Sequence, residues 1–450
     1  MRVSKAAPSK TTYQRLQREV IRPGLCTHCG TCAGLSRGAL SMHQGPHGPL
    51  PSPTGRGQVE LPPYVLEACP GRSIDYPALY KSTFDALPEN WLLGPFRRTY
   101  RGYPASEDSG MITSILLHLL ETGQIEGVIA VRQGTPQPWE AAPVIATTPE
   151  ELRACSGSVS HPVPVNTILA QVAEFEGRLA YVGLPDQVAS IRALQALGHP
   201  AANKIALIVG PFSGISVSFA AVLRLLRSRG VRRLDQVSAL RYSSGQWPAE
   251  IEITLKDGRV LQAGKRAYHA TLPFYYSRGS LFSVDYANEL TDISVGVARI
   301  PASAPAGRRA SLVVARSERG EALIDAMCAG GLLRLEGISP DEALALHGHM
   351  LEFKKLGAFA RIGWRRALGR RAPDYGYRPA RISLRRRLVE LLLGGLLTLS
   401  GSWVARRMVD LLPLWIISPA LDGMRTRWQT RSEGRGAAPY PVHPISRKRR

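Results

Sequence analysis

The sequence predicts an α/β protein built on a mixed, mainly parallel sheet with flanking helices. Three observations carry that expectation. Apolar runs of strand length alternate with helical runs between about residues 96 and 335, the pattern of a sheet wound through crossover helices. A hairpin signal interrupts the alternation once. The composition of 450 residues, 44% hydrophobic and 20% charged, can bury a sizeable core over two or three domains and excludes the disordered class.

Taken in order, residues 111–120 (MITSILLHLL) read as a helix entered through Ser109, and 125–132 (IEGVIAVR) as a short strand. Residues 178–184 form an apolar strand followed by a helix over 186–197. Residues 204–210 (KIALIVG) repeat the strand, and a helix follows near 217–229. Residues 250–261 instead alternate by twos around Asp257-Gly258, a turn pair that favours a β-hairpin. A strand over 311–316 and a helix after Glu318 return to α/β.

The flanks differ from this centre, and the expected boundaries are 1–95, 96–335 and 336–450. Residues 1–95 hold four of the six cysteines, a Pro/Gly-rich stretch over 42–57 and little periodic apolar pattern, so a metal centre is expected to organise them. Residues 1–20 are polar and basic, without the apolar core of a secretory signal. The expected compartment is the reducing cytoplasm. The net charge of +22 is concentrated in the tail: residues 354–450 carry 22 Lys/Arg against 5 Asp/Glu. That tail is expected to be helical and Arg-rich. Its apolar runs, 391–405 and 411–421, are each shorter than the ~20 residues a spanning helix needs. Arg385 to Arg387, Arg406, Arg407, Arg425 and Arg427 flank them, so a membrane surface contacted through 388–427 is expected, against packing on the protein's own core or a subunit. Nucleic acid is not expected as a partner, because no aromatic interleaving or known module accompanies the basic residues.

Cys26, Cys29 and Cys32 form C-x2-C-x2-C, and Cys69 is followed by Pro70. Three thiolates in such a series can hold three corners of one cubic cluster. In the bacterial 4Fe-4S run, a further cysteine and a proline serve the other cluster of a two-cluster protein. Here those positions are Ser36 and Arg37. The remote Cys69 then completes one 4Fe-4S cluster, in a small ferredoxin-like iron-sulfur domain. The competing assignment is zinc on the same four thiolates, although zinc motifs usually pair two closely spaced couples. His28, His43 and His47 read as surface residues, and Cys155 and Cys328 as buried structural thiols.

With those motifs placed, the chain resembles the coenzyme F-420 (deazaflavin) hydrogenase/dehydrogenase beta-subunit family, which includes ferredoxin-linked hydroxymethyl-chlorophyll and divinyl-chlorophyllide reductases. The matching stretches are 26–32 (CTHCGTC), 108–132, 155–166 (CSGSVSHPVPVN), 181–194 (YVGLPDQVASIRAL) and 284–296 (VDYANELTDISVG). The resemblance implies a flavin, FAD, in the α/β domain, exchanging electrons through the iron-sulfur domain. Onto this sequence it places Ser109, Gly110, Thr113, Ser156, Gly157, Ser158 and Asn166 as cofactor-binding residues. Ser109-Gly110 opens a helix whose free amides suit a phosphate or ring carbonyl, and Ser156 to Ser158 form a small polar loop. Many members carry further cysteines in this domain. Here Asp186 follows Pro185, Pro211 has no cysteine nearby, and Ser280 and Ser283 stand at the C-x2-C spacing. Hydroxyls and a carboxylate ligate iron-sulfur clusters poorly, so a second cluster is not expected. Met111 replaces the second glycine of the usual Ser-Gly-Gly.

The expected function is therefore an iron-sulfur flavoprotein oxidoreductase, passing electrons between a ferredoxin-type or deazaflavin partner and a small organic substrate. The alternative is a non-catalytic electron-transfer or assembly subunit that keeps one cluster and has lost substrate chemistry. Tyr286, Asp285, Asp292 and His161 are acids by type, and the sequence assigns the catalytic role to none of them.

Overall fold

A computed structural model describes residues 11–107, 109–244, 250–264, 268, 271–298, 310–411, 423 and 442–444. Its cysteine-bearing segment contains one hairpin, β1 (Leu40–Gly45) and β2 (Gly48–Pro53). The central region then supplies β3 (Arg98–Pro104), β4 (Gly127–Gln133), β5 (Ala141–Ala146), β6 (Leu179–Val182) and β7 (Ile205–Pro211). It continues through β8 (Val237–Ser244), β9 (Glu250–Leu255), β10 (Val260–Gly264), β11 (Ile293–Val297), β12 (Ser311–Ala315) and β13 (Leu333–Gly337).

The main sheet has eight strands in the order β13-β3-β12-β11-β7-β6-β4-β5. Its centre, β11-β7-β6-β4, is parallel. The pairings outside that centre are all antiparallel, so the sheet is mixed but not mainly parallel. The physical reason lies in the connections. A parallel pair needs a crossover helix, which Pro185–Ala196 supplies between β6 and β7. β5 instead follows β4 after a short loop and must run back beside it. The Asp257-Gly258 turn lies between β9 and β10 as expected, with Gly258 at φ +87°, and β8 joins them in a separate three-stranded sheet.

Both faces of the main sheet are covered. One side buries Ile115, Leu116 and Leu119 of the helix Met111–Glu121 and Ile324 of the helix Glu318–Ala329 against β4, β6, β7 and β12. The other packs Val188, Ile191 and Leu194 of the helix Pro185–Ala196 with Tyr76, Tyr80, Phe359 and Tyr377. Residues beyond 336 thus contribute directly to the central core. The cysteine-bearing segment also has more apolar packing than its sequence pattern suggested: Leu16, Val20, Leu25, Leu40, Leu61, Val65 and Leu66 bury together.

Candidate functional site

Cys26, Cys29, Cys32 and Cys69 line one cavity whose remaining walls are largely apolar, among them Leu16, Val20, Ile21, Met42 and Val65. The turn that aims the first three thiols is held by close backbone approaches. Gly30, at φ +90°, opens the helical turn Thr31–Gly34, and a Cβ there would stand 2.6 Å from the Pro164 carbonyl. Gly279 similarly lies where a Cβ would be 2.1 Å from the Cys26 carbonyl. Ser190, in the helix Pro185–Ala196, joins the two halves of the cysteine set. Its hydroxyl donates to the Ala68 carbonyl at 2.7 Å and lies 2.6 Å from Thr31 Oγ1.

Among the described residues, no group of three His, Cys, Asp or Glu side chains converges tightly enough for a single metal ion. Four thiols facing one shared cavity are the number of donors a cubane cluster takes, one thiolate for each iron. Burial is the main cause of the raised thiol pKa values: Cys26 is pushed up to about 12, with Cys29 adding to the effect, and Cys32 and Cys69 also rise. This donor set therefore gains much from a cationic centre that stabilises thiolate.

His28 is buried rather than on the surface. At φ +62° it places Nδ1 2.6 Å from the Pro49 carbonyl and Nε2 2.8 Å from Ser277 Oγ, pinning the cysteine turn to β2 and to the 277–281 segment. His43 is exposed and His47 half-buried. Cys155 and Cys328 are half-buried beside the core under the helix Met111–Glu121.

Behind Thr27 and His28 lies a second, polar cavity, lined among others by Asp186, Ser280, Ser283, Asp285 and Lys354. Three positions where the resemblance raised the prospect of thiols therefore meet around one buried lysine. Lys354 Nζ donates to the Ser280 carbonyl at 2.7 Å. Burial lowers its pKa to about 8, against the opposing pull of Asp186. Asp285 is pushed up to about 8, first by burial and then by the nearby Glu289 carboxylate. Its Oδ2 accepts from the Glu289 amide, while Oδ1 has no hydrogen-bond partner among the described residues. Deeper still, Lys355 pairs with Glu289 at 2.5 Å and donates to Tyr377 Oη. The sequence reading missed both lysines, although two adjacent lysines inside the apolar run LEFKKLGAF are a usable sign of buried, partnered cations.

The residues expected to hold a flavin divide. Ser109, Thr113 and Ser156 line a cavity of about 260 Å³ with His118 and Arg153. Ser109 does not cap the helix; its hydroxyl lies 2.6 Å from Ser114 Oγ, and Gly110 holds the N-cap position without a side-chain bond. Gly110, Ser156, Gly157 and Ser158 are exposed. Asn166 is fully buried elsewhere: its amide donates to the Cys29 carbonyl at 3.0 Å and its side chain to Thr31 Oγ1 at 2.9 Å. It positions the cysteine turn.

A larger cleft of about 520 Å³ lies between the cysteine segment and the α/β body. Ala33 and Gly34, immediately after Cys32, form part of one wall; β5, His161 and Phe219 contribute to the opposite side. Burial lowers the His161 pKa to about 4, so its ring is neutral at pH 7, and Nδ1 lies 2.7 Å from Tyr242 Oη. Of the other acids named by type, Tyr286 lies 3.0 Å from His347 Nδ1, and Asp292 accepts from the Ile208 amide and Arg192. Both are bound into the core.

Comparison with known proteins identifies the family. The model for the coenzyme F420 hydrogenase/dehydrogenase beta-subunit N-terminal region matches residues 100–170, and that for the C-terminal region matches 176–341. Together they span more than half of the chain. This protein belongs to the coenzyme F420 hydrogenase/dehydrogenase beta-subunit family. The F420 hydrogenase beta subunit of Methanococcus voltae is 27% identical over 52% of this chain and 79% of its own length. One subunit of the F(420)H(2) dehydrogenase of Methanosarcina mazei is 25% identical over 75% of this chain and 92% of its own. A chain of the F420-reducing NiFe hydrogenase complex of Methanosarcina barkeri superposes loosely, at 21% identity and a TM-score of 0.49, over 63% of this chain and 97% of that one. As a member of this family the protein has an oxidoreductase, electron-transfer role. The two curated relatives are named for the deazaflavin F420 and not for FAD, so the FAD expectation finds no support in them. The family models begin after Cys69, leaving the cysteine cavity outside the matched spans.

Proposed function

We propose that this subunit carries one 4Fe-4S cluster on Cys26, Cys29, Cys32 and Cys69 and uses it, by way of a flavin that gathers single electrons into pairs, to exchange electrons with a deazaflavin of the F420 type. The observation that carries the reading is the convergence of the Cys26–Cys32 thiols and the remote Cys69 on one cavity next to the 520 Å³ cleft. When bound, the cluster would supply electrons one at a time and a deazaflavin would exchange them only as a hydride, so a flavin that collects two single electrons would couple the two. The protein's own residues perform the positioning. Ala33 and Gly34 let a flat ring approach the segment holding Cys32, and the β5 wall closes its other side. His161, neutral and oriented by Tyr242, presents a hydrogen-bonding nitrogen where a proton on the ring must be held or released. The remaining half-reaction involves a ferredoxin-type partner or a small organic substrate. Reactive thiols of this kind belong in the reducing cytoplasm. Residues 1–95 form the cluster-bearing, ferredoxin-like unit and 96–335 the ring-binding unit; the basic tail completes the latter's core.

One observation favours the non-catalytic alternative: Met111 stands where the family's flavin loop has its second glycine, and Asp186, Ser280 and Ser283 stand where many members have cysteines. Anaerobic purification separates the readings. About four irons and four sulfides per chain are expected, lost in Cys69→Ala and retained in Cys328→Ala; zinc in place of iron overturns the cluster. F420 should bind the wild type and lose at least tenfold in affinity on His161→Leu. If Thr113→Leu weakens it instead, the ring belongs in the 260 Å³ cavity. If F420 does not bind at all, the subunit only relays electrons or assembles a complex.

A further inference from the structure

We propose that the helices Leu384–Ser400 and Trp403–Leu411 form a docking face for an anionic lipid surface. This inference is independent of the redox reading. The first helix turns only a small part of its apolar surface inward, where Leu397 and the half-buried Leu393 pack with Tyr276, Leu281 and Phe353. The rest of its inward side carries polar anchors: Glu390 pairs with Arg361 and Arg386, Ser400 Oγ donates to the Pro273 carbonyl, and the Leu397 carbonyl accepts from Tyr276 Oη. Those bonds leave most of its leucines outside. Leu384, Leu392 and Leu399 are each more than 70% exposed, as are Trp403 and Leu411 on the second helix. In an amphipathic helix that simply completes a globular core, the apolar side would face inward. An exposed apolar surface of this extent marks an interaction site.

The occupant is indicated by charge and geometry. Arg385, Arg387 and Arg407 are exposed beside the leucines. Arg386 and Arg406, although also in the flanks, turn inward: Arg386 binds Glu352 and Glu390, and Arg406 binds the Phe274 and Pro46 carbonyls and His47. The three outward guanidiniums match anionic head groups. A second copy facing this surface would bring like charges together at its rim. The two helices meet at a bend of 66°, and among the described residues no single helix is long and apolar enough to cross a bilayer. With one side of Leu384–Ser400 bonded to the protein, the pair lies along the interface, its leucines entering the acyl boundary and Trp403 at head-group level.

The test is co-flotation of the full-length protein with phosphatidylglycerol-containing vesicles, compared with pure phosphatidylcholine. Binding to the anionic vesicles should be at least tenfold tighter and fall as salt rises. Leu392→Glu with Leu399→Glu should abolish it. Replacing Arg385, Arg387 and Arg407 with Gln should weaken it about 100-fold, at about 1 kcal/mol per cation, while the thermal midpoint stays within a few degrees. Absence of flotation, or flotation unchanged in the leucine variant, overturns the proposal. So does a dimer in light scattering that the leucine variant dissolves, because a second copy is then the occupant. Flotation appearing only after truncation at 411 also overturns it, because residues 412–450 then cover the face.

Discussion

Two cavities meet at Thr27 and have opposite chemistry. On one side, four thiols face a largely apolar space, and burial disfavours their ionisation. On the other, Asp186, Asp285 and Lys354 surround a polar space, backed by the Lys355–Glu289 pair. On the proposed function the first site is completed by a cationic load. The second contains opposing charges of its own, so its partners support one another without a ligand. Loading should therefore affect the first strongly, while single substitutions should damage the second as a structural element.

The largest expected effect is on the second side. Lys355 and Glu289 are both fully buried. Lys355→Met leaves the Glu289 carboxylate without its cation and should cost about 3–5 kcal/mol of stability. Adding Glu289→Gln should recover a substantial part of that loss. Denaturant unfolding of the anaerobically purified protein measures both, and the variants that fold should keep their iron. Equal iron loss in the single and double variants would mean that the two cavities form one unit.

A smaller effect separates the sites by pH. The folded-state pKa of Asp285 is raised from 3.8 to about 8, so its contribution to stability is greatest below pH 4 and is lost progressively as pH rises to 8, where the folded carboxyl finally ionises. The groups facing Asp285 or the cavity it shares are Glu289, Lys355, Arg316, Lys354 and Asp186. Asp285→Asn should flatten the fall between pH 5 and 8 by about 2–4 kcal/mol, as read from unfolding midpoints. An unchanged slope in the variant would show that Asp285 is already ionised at neutral pH.

The same contrast explains what could be read from sequence. The cysteine cavity was legible because three of its cysteines lie within seven residues, a spacing that itself suggests a cluster. The polar cavity was not, because Asp186, Ser280, Asp285 and Lys354 come from separate elements and meet only through the fold. Strands β4, β6 and β7 were visible as apolar runs. β3 and β13, which make much of the antiparallel flank, were not: β3 is Arg-containing and β13 alternates with charge. The helix over 111–120 was expected to be entered through Ser109, but Gly110 holds its N-cap position. Asn166 was assigned to a cofactor by resemblance, whereas its side chain is fully bonded between Thr31, Tyr181 and the Gln187 carbonyl.

The smallest expected effect tests whether the cysteine cavity is preformed by the helix Pro185–Ala196. Ser190 bonds the Ala68 carbonyl, next to Cys69, and contacts Thr31, next to Cys32. Ser190→Ala removes a buried donor without adding bulk, leaving the Ala68 carbonyl short of a partner, and should cost about 1–2 kcal/mol. Thr31 keeps its bond from Asn166, so the Cys26–Cys32 turn should hold while Cys69 loosens. The expected signature is a normal iron count after anaerobic purification but faster loss of iron to a chelator, with no change at the polar cavity's pH response. Chelation at the wild-type rate would show that the thiols and the cluster define the site by themselves, and that Ser190 only packs the helix Pro185–Ala196 against it.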